Sequence, residues 1–376
     1  MKFSCERKKF KDVCAMVEKA IPKQSSLPVL QNLYLSLNQG SLIVRGNDLE
    51  MGIENHITVK QSETDGAILV KAKTLNEIIS KVQSDHLELS VNEKNSLNIK
   101  TEGIEFNLLG ENIAEYPAFP NVESGQKLTL KVSELLDLIK FTIFSVSYDD
   151  TKKFFNGVLI ECKDNSVSFI STDGYRLAVK TLHYNQDIAH ISKIIPFKAI
   201  NEVFRLLQSF DPNKTVEISF SETQISFTCE QFLLISRLIQ GQFPDIDKVI
   251  PSEFEHKVKV SRRQLLSSCE RASIIASASN DIIKFSYATN SITIVAQASA
   301  LGDFKEVLEA NSLEGAGELT ITFNVKLILD YLRVMEDDDL VINFNNAVSP
   351  CKFDRPSDEN YTYIVMPIRA REFNQS

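Results

Sequence analysis

The sequence predicts an α+β chain built from three copies of one unit, each running strand, helix, strands and then strand, helix, strands again. The first observation is a repeat. Residues 74–79 read Thr-Leu-Asn-Glu-Ile-Ile, and residues 199–204, 125 positions later, read Ala-Ile-Asn-Glu-Val-Phe. The same offset sets Leu33 and Leu35 over Val158 and Ile160, Leu42 and Val44 over Val167 and Phe169, and Asp48 over Asp173. Matches in one register across separated segments mark a duplication, and a unit used several times serves a surface that is itself repetitive. A chain of 376 residues is too long for one ordinary core. Three such units fill it, which predicts domains at 1–124, 125–253 and 254–376.

The second observation is the frame shared by all three copies. Short alternating strands at Phe3-Ser4-Cys5, Leu128-Thr129-Leu130 and Val258-Lys259-Val260 are each followed, seven residues after their first member, by Phe10, Leu135 and Leu265. That spacing leads an inward strand face into the first buried position of a helix. A second helix starts at Leu75, Ile200 and Leu327, with Ile79, Phe204 and Tyr331 one turn on. Between the helices comes the third observation, a hairpin. Leu33, Leu35 and Leu37 alternate with polar residues, Asn38-Gln39-Gly40-Ser41 turns, and Leu42 and Val44 resume the alternation. Lys163-Asp164-Asn165-Ser166 and Thr289-Asn290-Ser291 hold the equivalent turns. Tyr116-Pro117-Ala118-Phe119-Pro120 and Gln242-Phe243-Pro244-Asp245, with Pro251, read as extended linkers, because proline removes a backbone donor and biases its predecessor away from helix.

Helix one, about residues 6–21, is expected to bury Phe10, Val13, Cys14, Val17 and Ile21 on one face. Lys8, Lys11 and Lys19 fall on the other. Lys73 and Lys81 belong to the second helix, Lys140 to the third, Lys198 and Arg205 to the fourth, Arg262, Arg263 and Arg271 to the fifth, and Lys326 and Arg333 to the sixth. Exposed lysine and arginine are the default on any solvated helix. Recurring on equivalent helices of a repeated array, they would line one surface and make a weak track for a phosphate backbone. The formal charge of −9 excludes a protein that grips nucleic acid over its whole surface, so any such contact is local.

Other function classes are narrowed by absence. No stretch approaches the roughly 18 apolar residues of a membrane span, and the start lacks a signal-peptide core, which predicts a cytoplasmic protein without membrane contact. Six cysteines include no Cys-x-x-Cys and no histidine at metal spacing, so they read as free thiols, and neither metal nor cofactor is expected. Phosphate loops, dinucleotide fingerprints and the common hydrolase motifs are missing. Asp48 and Asp173 could tempt an acid/base assignment, but each follows a strand where aspartate favours a tight turn.

At Thr172-Asp173-Gly174-Tyr175-Arg176-Leu177-Ala178 and Tyr363-Ile364-Val365-Met366-Pro367-Ile368-Arg369 the sequence resembles the bacterial DNA polymerase III beta subunit family, the replicative sliding clamps. Leu27-Pro28-Val29-Leu30-Gln31-Asn32-Leu33, Asn47-Asp48-Leu49-Glu50-Met51, Asn156-Gly157, Gly241-Gln242-Phe243-Pro244-Asp245 and Phe323-Asn324-Val325 extend the likeness over nearly the whole chain. The resemblance implies a non-catalytic processivity factor: a head-to-tail homodimer of three-domain chains closed around duplex DNA, with twelve helices lining the hole and sheets outside. Its implied partners are the polymerase III alpha subunit, the clamp loader and other clamp-motif proteins. They would bind through a peptide pocket at Phe155, Thr172, Gly174, Tyr175, Arg176, Leu177, Pro244, Val249, Asn324, Leu327, Ile364, Met366, Pro367, Ile368 and Arg369. Apolar walls would receive leucine and phenylalanine side chains, with Arg176 and Arg369 holding polar or C-terminal groups. At the ring joint Phe106 and Leu108 of an edge strand would meet Ile274 and Ile275 of the other chain. Two departures stand out: Leu327 replaces a familiar tyrosine, and the chain continues through 370–376, where Phe373 is placed to reach back over the pocket. A peptide-binding scaffold that never surrounds DNA, and a hydrolase using Asp48 or Asp173, stay open as alternatives.

Overall fold

The structure, a computed structural model, describes residues 1–59, 61–122, 125–184, 190–315 and 318–369. The expectations about the tail and Phe373 lie outside the described residues. Six α-helices are present among those described: α1 (Arg7–Val17), α2 (Ala72–Lys81), α3 (Val132–Lys140), α4 (Phe197–Leu207), α5 (Arg262–Ala276) and α6 (Val325–Val334). None is long and apolar enough to cross a membrane. Each begins at the residue after a strand, as the alternation-into-helix pattern predicts.

A helix that starts with no loop needs partners for its first backbone N–H groups. Five of the six find one in the same way. The first residues Arg7, Val132, Phe197, Arg262 and Val325 donate to the carbonyls of Asp85, Lys214, Asn156, Asp338 and Asp281. Each acceptor immediately precedes another strand of the same copy: His86–Val91, Thr215–Phe220, Gly157–Lys163, Asp339–Phe344 or Ile282–Ala288. The repeat is therefore as plain in the backbone as in the side chains. Helix one is shorter than expected, ending in a 3-10 turn at Glu18–Ala20 that carries Lys19, and Ile21 beyond it is extended. Val13 and Ile21 are only half-buried.

The chain divides into two compact units, Met1–Leu135 with Asn201–Leu238, and Leu136–Ile200 with the chain from Ile239 on. Unit 1 holds a five-stranded antiparallel sheet, ordered Gln61–Thr64, Lys2–Glu6, His86–Val91, Ser96–Thr101, Ile104–Leu109. It also holds an eight-stranded sheet in which Phe232–Arg237 pairs antiparallel with Met51–Thr58. In unit 2 one twelve-stranded sheet runs through the equivalent junction, Arg176–His183 beside Tyr361–Val365. At both junctions a strand of one copy bonds to a strand of another, so compactness does not follow the sequence repeat and the middle copy contributes to each unit.

Period-two burial places the cores. Ile283, Phe285 and Tyr287 of one strand and Ile292, Ile294 and Ala296 of its neighbour are buried beneath α5 and α6, with Leu265, Cys269, Ile328 and Leu332 from those helices. All six cysteines are free and buried.

Candidate peptide groove and nucleic-acid face

The groove of unit 2 is built on a turn. After the strand Ser166–Thr172, the Asp173 carboxylate accepts from the backbone N–H of Tyr175 at 2.8 Å and of Arg176 at 3.0 Å. Thr172 Oγ1 accepts from Gly174 N at 3.0 Å, and Gly174 sits at φ +92°, where a glycine is at ease. This turn throws Tyr175 outward, 68% exposed, and returns Arg176 and Leu177 to the sheet. In unit 1 Asp48 makes the same turn, accepting from Glu50 N at 3.0 Å and Met51 N at 2.6 Å. Both aspartates are therefore turn builders.

Beside the turn lies a cavity of about 240 Å³ lined by Phe155, Thr172, Gly174, Tyr175, Arg176, Leu177, Pro244, Ile246, Val249, Ile364 and Met366. Its floor is a buried cluster of Leu159, Ile170, Leu177, Ile194 and Ile364, against which Phe243, Ile246 and Ile250 pack. Ten of the fifteen expected residues thus meet around one space. Ile246 was missed; the signal for it was its place two residues after Pro244 on an extended segment, which turns its side chain the same way. Alternation along Tyr361–Val365 sends Ile364 to the groove and Tyr363 to the core on the other side, where its ring stacks on Tyr331 at 4.7 Å.

The other five expected residues have different placements. Asn324 caps α6 by accepting from Lys326 N at 2.9 Å. Leu327 packs on the core and its carbonyl accepts from Tyr363 Oη at 2.8 Å. Pro367 is buried, Ile368 N donates to Thr322 O at 2.8 Å, and Arg369 is exposed. Arg176 also departs from the expected role of holding a peptide group. Its Nε donates to Asp173 at 3.0 Å and its Nη1 to Asp330 at 2.7 Å, with 7% of the side chain exposed. Burial works against its charge, but Tyr363, Asp330 and Asp173 outweigh that and hold its pKa above the ordinary arginine value. Arg176 is a wall kept ionised by this chain's own acids.

Of the expected DNA-facing residues, Lys8, Lys73, Lys81, Lys198, Arg205, Arg263, Arg271, Lys326 and Arg333 lie on exposed helix positions, and Lys11 and Lys140 are half-exposed. Several already face an acid: Lys140 with Glu336, Arg205 with Glu202, Arg271 with Glu306, Lys326 with Asp281 and Arg333 with Glu270. Arg262 differs from expectation, because it donates to the carbonyls of Asp337 at 2.8 Å and Leu332 at 3.3 Å and so ties the end of α6 to the start of α5.

Phe106 and Leu108 lie on Ile104–Leu109, the outer strand of the five-stranded sheet, whose last residue Leu109 is 82% exposed. Ile274 and Ile275 are on the last turn of α5 rather than on a strand. Ile274 is exposed, and Ile275 packs partly on the core. The free strand edge near them is the Gly302–Glu309 part of Gly302–Glu314, which among the described residues pairs on one side only. Arg271 joins that strand to α5 through Glu306, which it reaches at 2.6 Å.

Three family models match this chain in succession: the N-terminal domain of the DNA polymerase III beta subunit over residues 1–120, its central domain over 129–245 and its C-terminal domain over 247–369. The beta sliding clamp of Staphylococcus epidermidis is 29% identical over 379 residues, covering 98% of this chain and all of the relative. That of Bacillus subtilis is 28% identical with the same coverage. A DNA polymerase sliding clamp from Pseudomonas aeruginosa, solved with a ligand, superposes with a TM-score of 0.93 at 26% identity over 98% of this chain and 100% of that one. The Bacillus subtilis clamp structure gives 0.92 at 26% over 98% and 99%. Matched from end to end by the domains of one protein, in order and with the three-domain α+β fold, the chain belongs to the DNA polymerase III beta subunit family of non-catalytic sliding clamps.

Proposed function

We infer that two copies of this chain close head to tail into a ring around duplex DNA and tether replication and repair proteins to it. Its three domains are the repeats 1–124, 125–253 and 254–376, and the six helices of each chain face the DNA. Contact is sequence-independent and topological: exposed Lys8, Lys19, Lys73, Lys81 and Arg263 and half-exposed Lys11 have no ion pair among the described residues, whereas the other basic side chains are largely balanced by acids. Such a surface attracts a phosphate backbone without gripping it, which suits sliding. The ring joint uses Phe106 and Leu108 on one side, and Ile274 and Ile275 with the free edge of Gly302–Glu309 on the other. Work beside the chromosome places the protein in the cytoplasm.

The observation that carries the reading is the groove, a preformed apolar cavity with Tyr175 at its rim and no titratable pair poised for chemistry. It fits short linear motifs bearing leucine and phenylalanine, as carried by the polymerase III alpha subunit, the clamp loader and other clamp-motif proteins. The test is to load the protein onto nicked circular DNA with a clamp loader and ATP, then linearise the circle. A ring slides off the cut ends. A scaffold that never encircles DNA does not load, and a protein fixed by local contacts stays on, and either result would sink the reading.

A further inference from the structure

The sheet face that floors the unit-2 groove has a counterpart in unit 1. Leu159, Ile170, Leu177 and Ile194 correspond, 125 residues earlier, to Tyr34, Arg45, Gly52 and Leu69. Backbone pairing agrees, since Leu177 lies across from Ile364 and Gly52 across from Ile235. The segments that close the two faces correspond as well, Tyr116-Pro117-Ala118-Phe119 matching Phe243-Pro244-Asp245-Ile246. Ile113 and Tyr116 pack on the buried cluster that contains Leu69, as Ile239 and Phe243 pack on the one that contains Ile194.

The two faces part company at one place. In unit 2 a leucine at 177 borders open groove. In unit 1 glycine stands at 52, and a Cβ built there would fall 2.8 Å from Phe119 Cε2 and 2.9 Å from Cζ. The Phe119 ring therefore fills the space that a side chain at 52 would take. Arg45 secures it: its guanidinium carbon lies 5.1 Å from the Phe119 centroid and 5.7 Å from that of Tyr34, and Glu54 pairs with the same guanidinium. Where the groove has Tyr175 and Met366 at its mouth, unit 1 has Glu50 and Arg237, which approach to 3.9 Å. A cavity of about 200 Å³ remains beside the ring, between Tyr34, Arg45 and Tyr116.

We propose that unit 1 carries a second peptide groove of the same origin, held shut by Phe119 as a built-in ligand, and that this ring limits each chain to one peptide site. The proposal rests on the peptide reading of the unit-2 groove. An aromatic side chain of the chain itself occupies the counterpart, so the class of ligand that would enter on its removal is the same: a partner segment presenting leucine or phenylalanine.

The experiment is calorimetric titration of the full chain with a synthetic peptide ending in Leu-Phe. The unaltered chain should take one peptide per chain and Phe119→Ala two, and adding Met366→Glu to Phe119→Ala should return the number to one. Gly52→Ala, whose methyl group displaces the ring, should also raise the number to two and serves if Phe119→Ala does not fold. One site in the unaltered chain and still one in the folded variants would overturn the built-in ligand while leaving the unit-2 groove intact. No binding by the unaltered chain would overturn the peptide reading and the proposal with it.

Discussion

Asp173 shows how a single residue can look like chemistry and be architecture. Its two oxygens are taken by two backbone N–H groups and the Nε of Arg176, and the turn so made is what aims Tyr175 outward and Leu177 inward. The turn itself was legible in the sequence, because aspartate just after a strand is turn chemistry and Asp48 recurs at the same repeat position. The commitment of Arg176 was not legible: its partner Asp330 lies 154 positions away, and no local pattern announces an ion pair of that range. The groove residues were placed by the resemblance, as were Asn324 and Leu327, which serve the helix and the core instead. Met366 is the most direct probe. It is half-buried, lines the cavity, and its backbone rather than its side chain bonds to Tyr175. Met366→Glu sets a charge where an apolar side chain must dock, so peptide affinity should fall by at least about tenfold, or ~1.4 kcal/mol, with the oligomer unchanged. Equal affinity by calorimetry would remove Met366 from the site.

Among the elements, the helices were readable because their buried faces recur every three to four residues, and their starts because each follows a strand of period two. The source of their N-terminal partners was hidden, since carbonyls such as Asp338 O and Lys214 O belong to loops some 76 to 82 residues away from Arg262 and Val132. Ile274 and Ile275 were expected across a strand joint and lie on α5 instead, because Ile275 continues the helix's buried period three residues after Ala272 and carries exposed Ile274 with it, and the nearby free strand edge is Gly302–Glu309. An edge strand pairs with whatever matches it, and a charge on it discourages that pairing. Leu108→Asp should therefore leave the fold and the peptide groove intact while sedimentation shows the mass falling to that of one chain. A second element-scale prediction concerns the loop after α6. Burial pushes the Asp337 carboxyl up, yet hydrogen bonds from Ser357 and Arg355 outweigh it and set its pKa below the ordinary 3.8. A carboxyl lowered in the folded state adds stability above its unfolded pKa and loses it as pH falls through the folded value. Between pH 5 and pH 3 the unaltered chain should thus lose more stability in denaturant titrations than Asp337→Asn does. Parallel acid limbs would count against that pair.

At the scale of the whole molecule, an acidic protein that works on a polyanion needs a reason to stay there. With 50 acidic against 41 basic residues, and basic helix positions such as Arg271 and Lys326 already facing acids, contact with phosphates is too thin to supply it. A protein held by six or more phosphate contacts would lose about 10³-fold in affinity between 50 and 200 mM salt, because each contact releases counterions. Enclosure carries no such dependence: a closed ring leaves a circle only by opening, and the opening rate is set by the joint, not by the counterions on the DNA. In the proposed ring the joint would set strand edge against strand edge, with Phe106, Leu108 and Ile274 beside it, and apolar burial of that kind is not weakened by moderate salt. The expected outcome is therefore a species of twice the 42.4 kDa chain mass at both salt concentrations. On closed circles its half-life should be unchanged within about twofold, and on linear DNA of the same sequence retention should be negligible at either salt. Retention on circles that falls steeply with salt, or survives cutting, would mean that the helix faces bind DNA directly and that the chain is not held by topology.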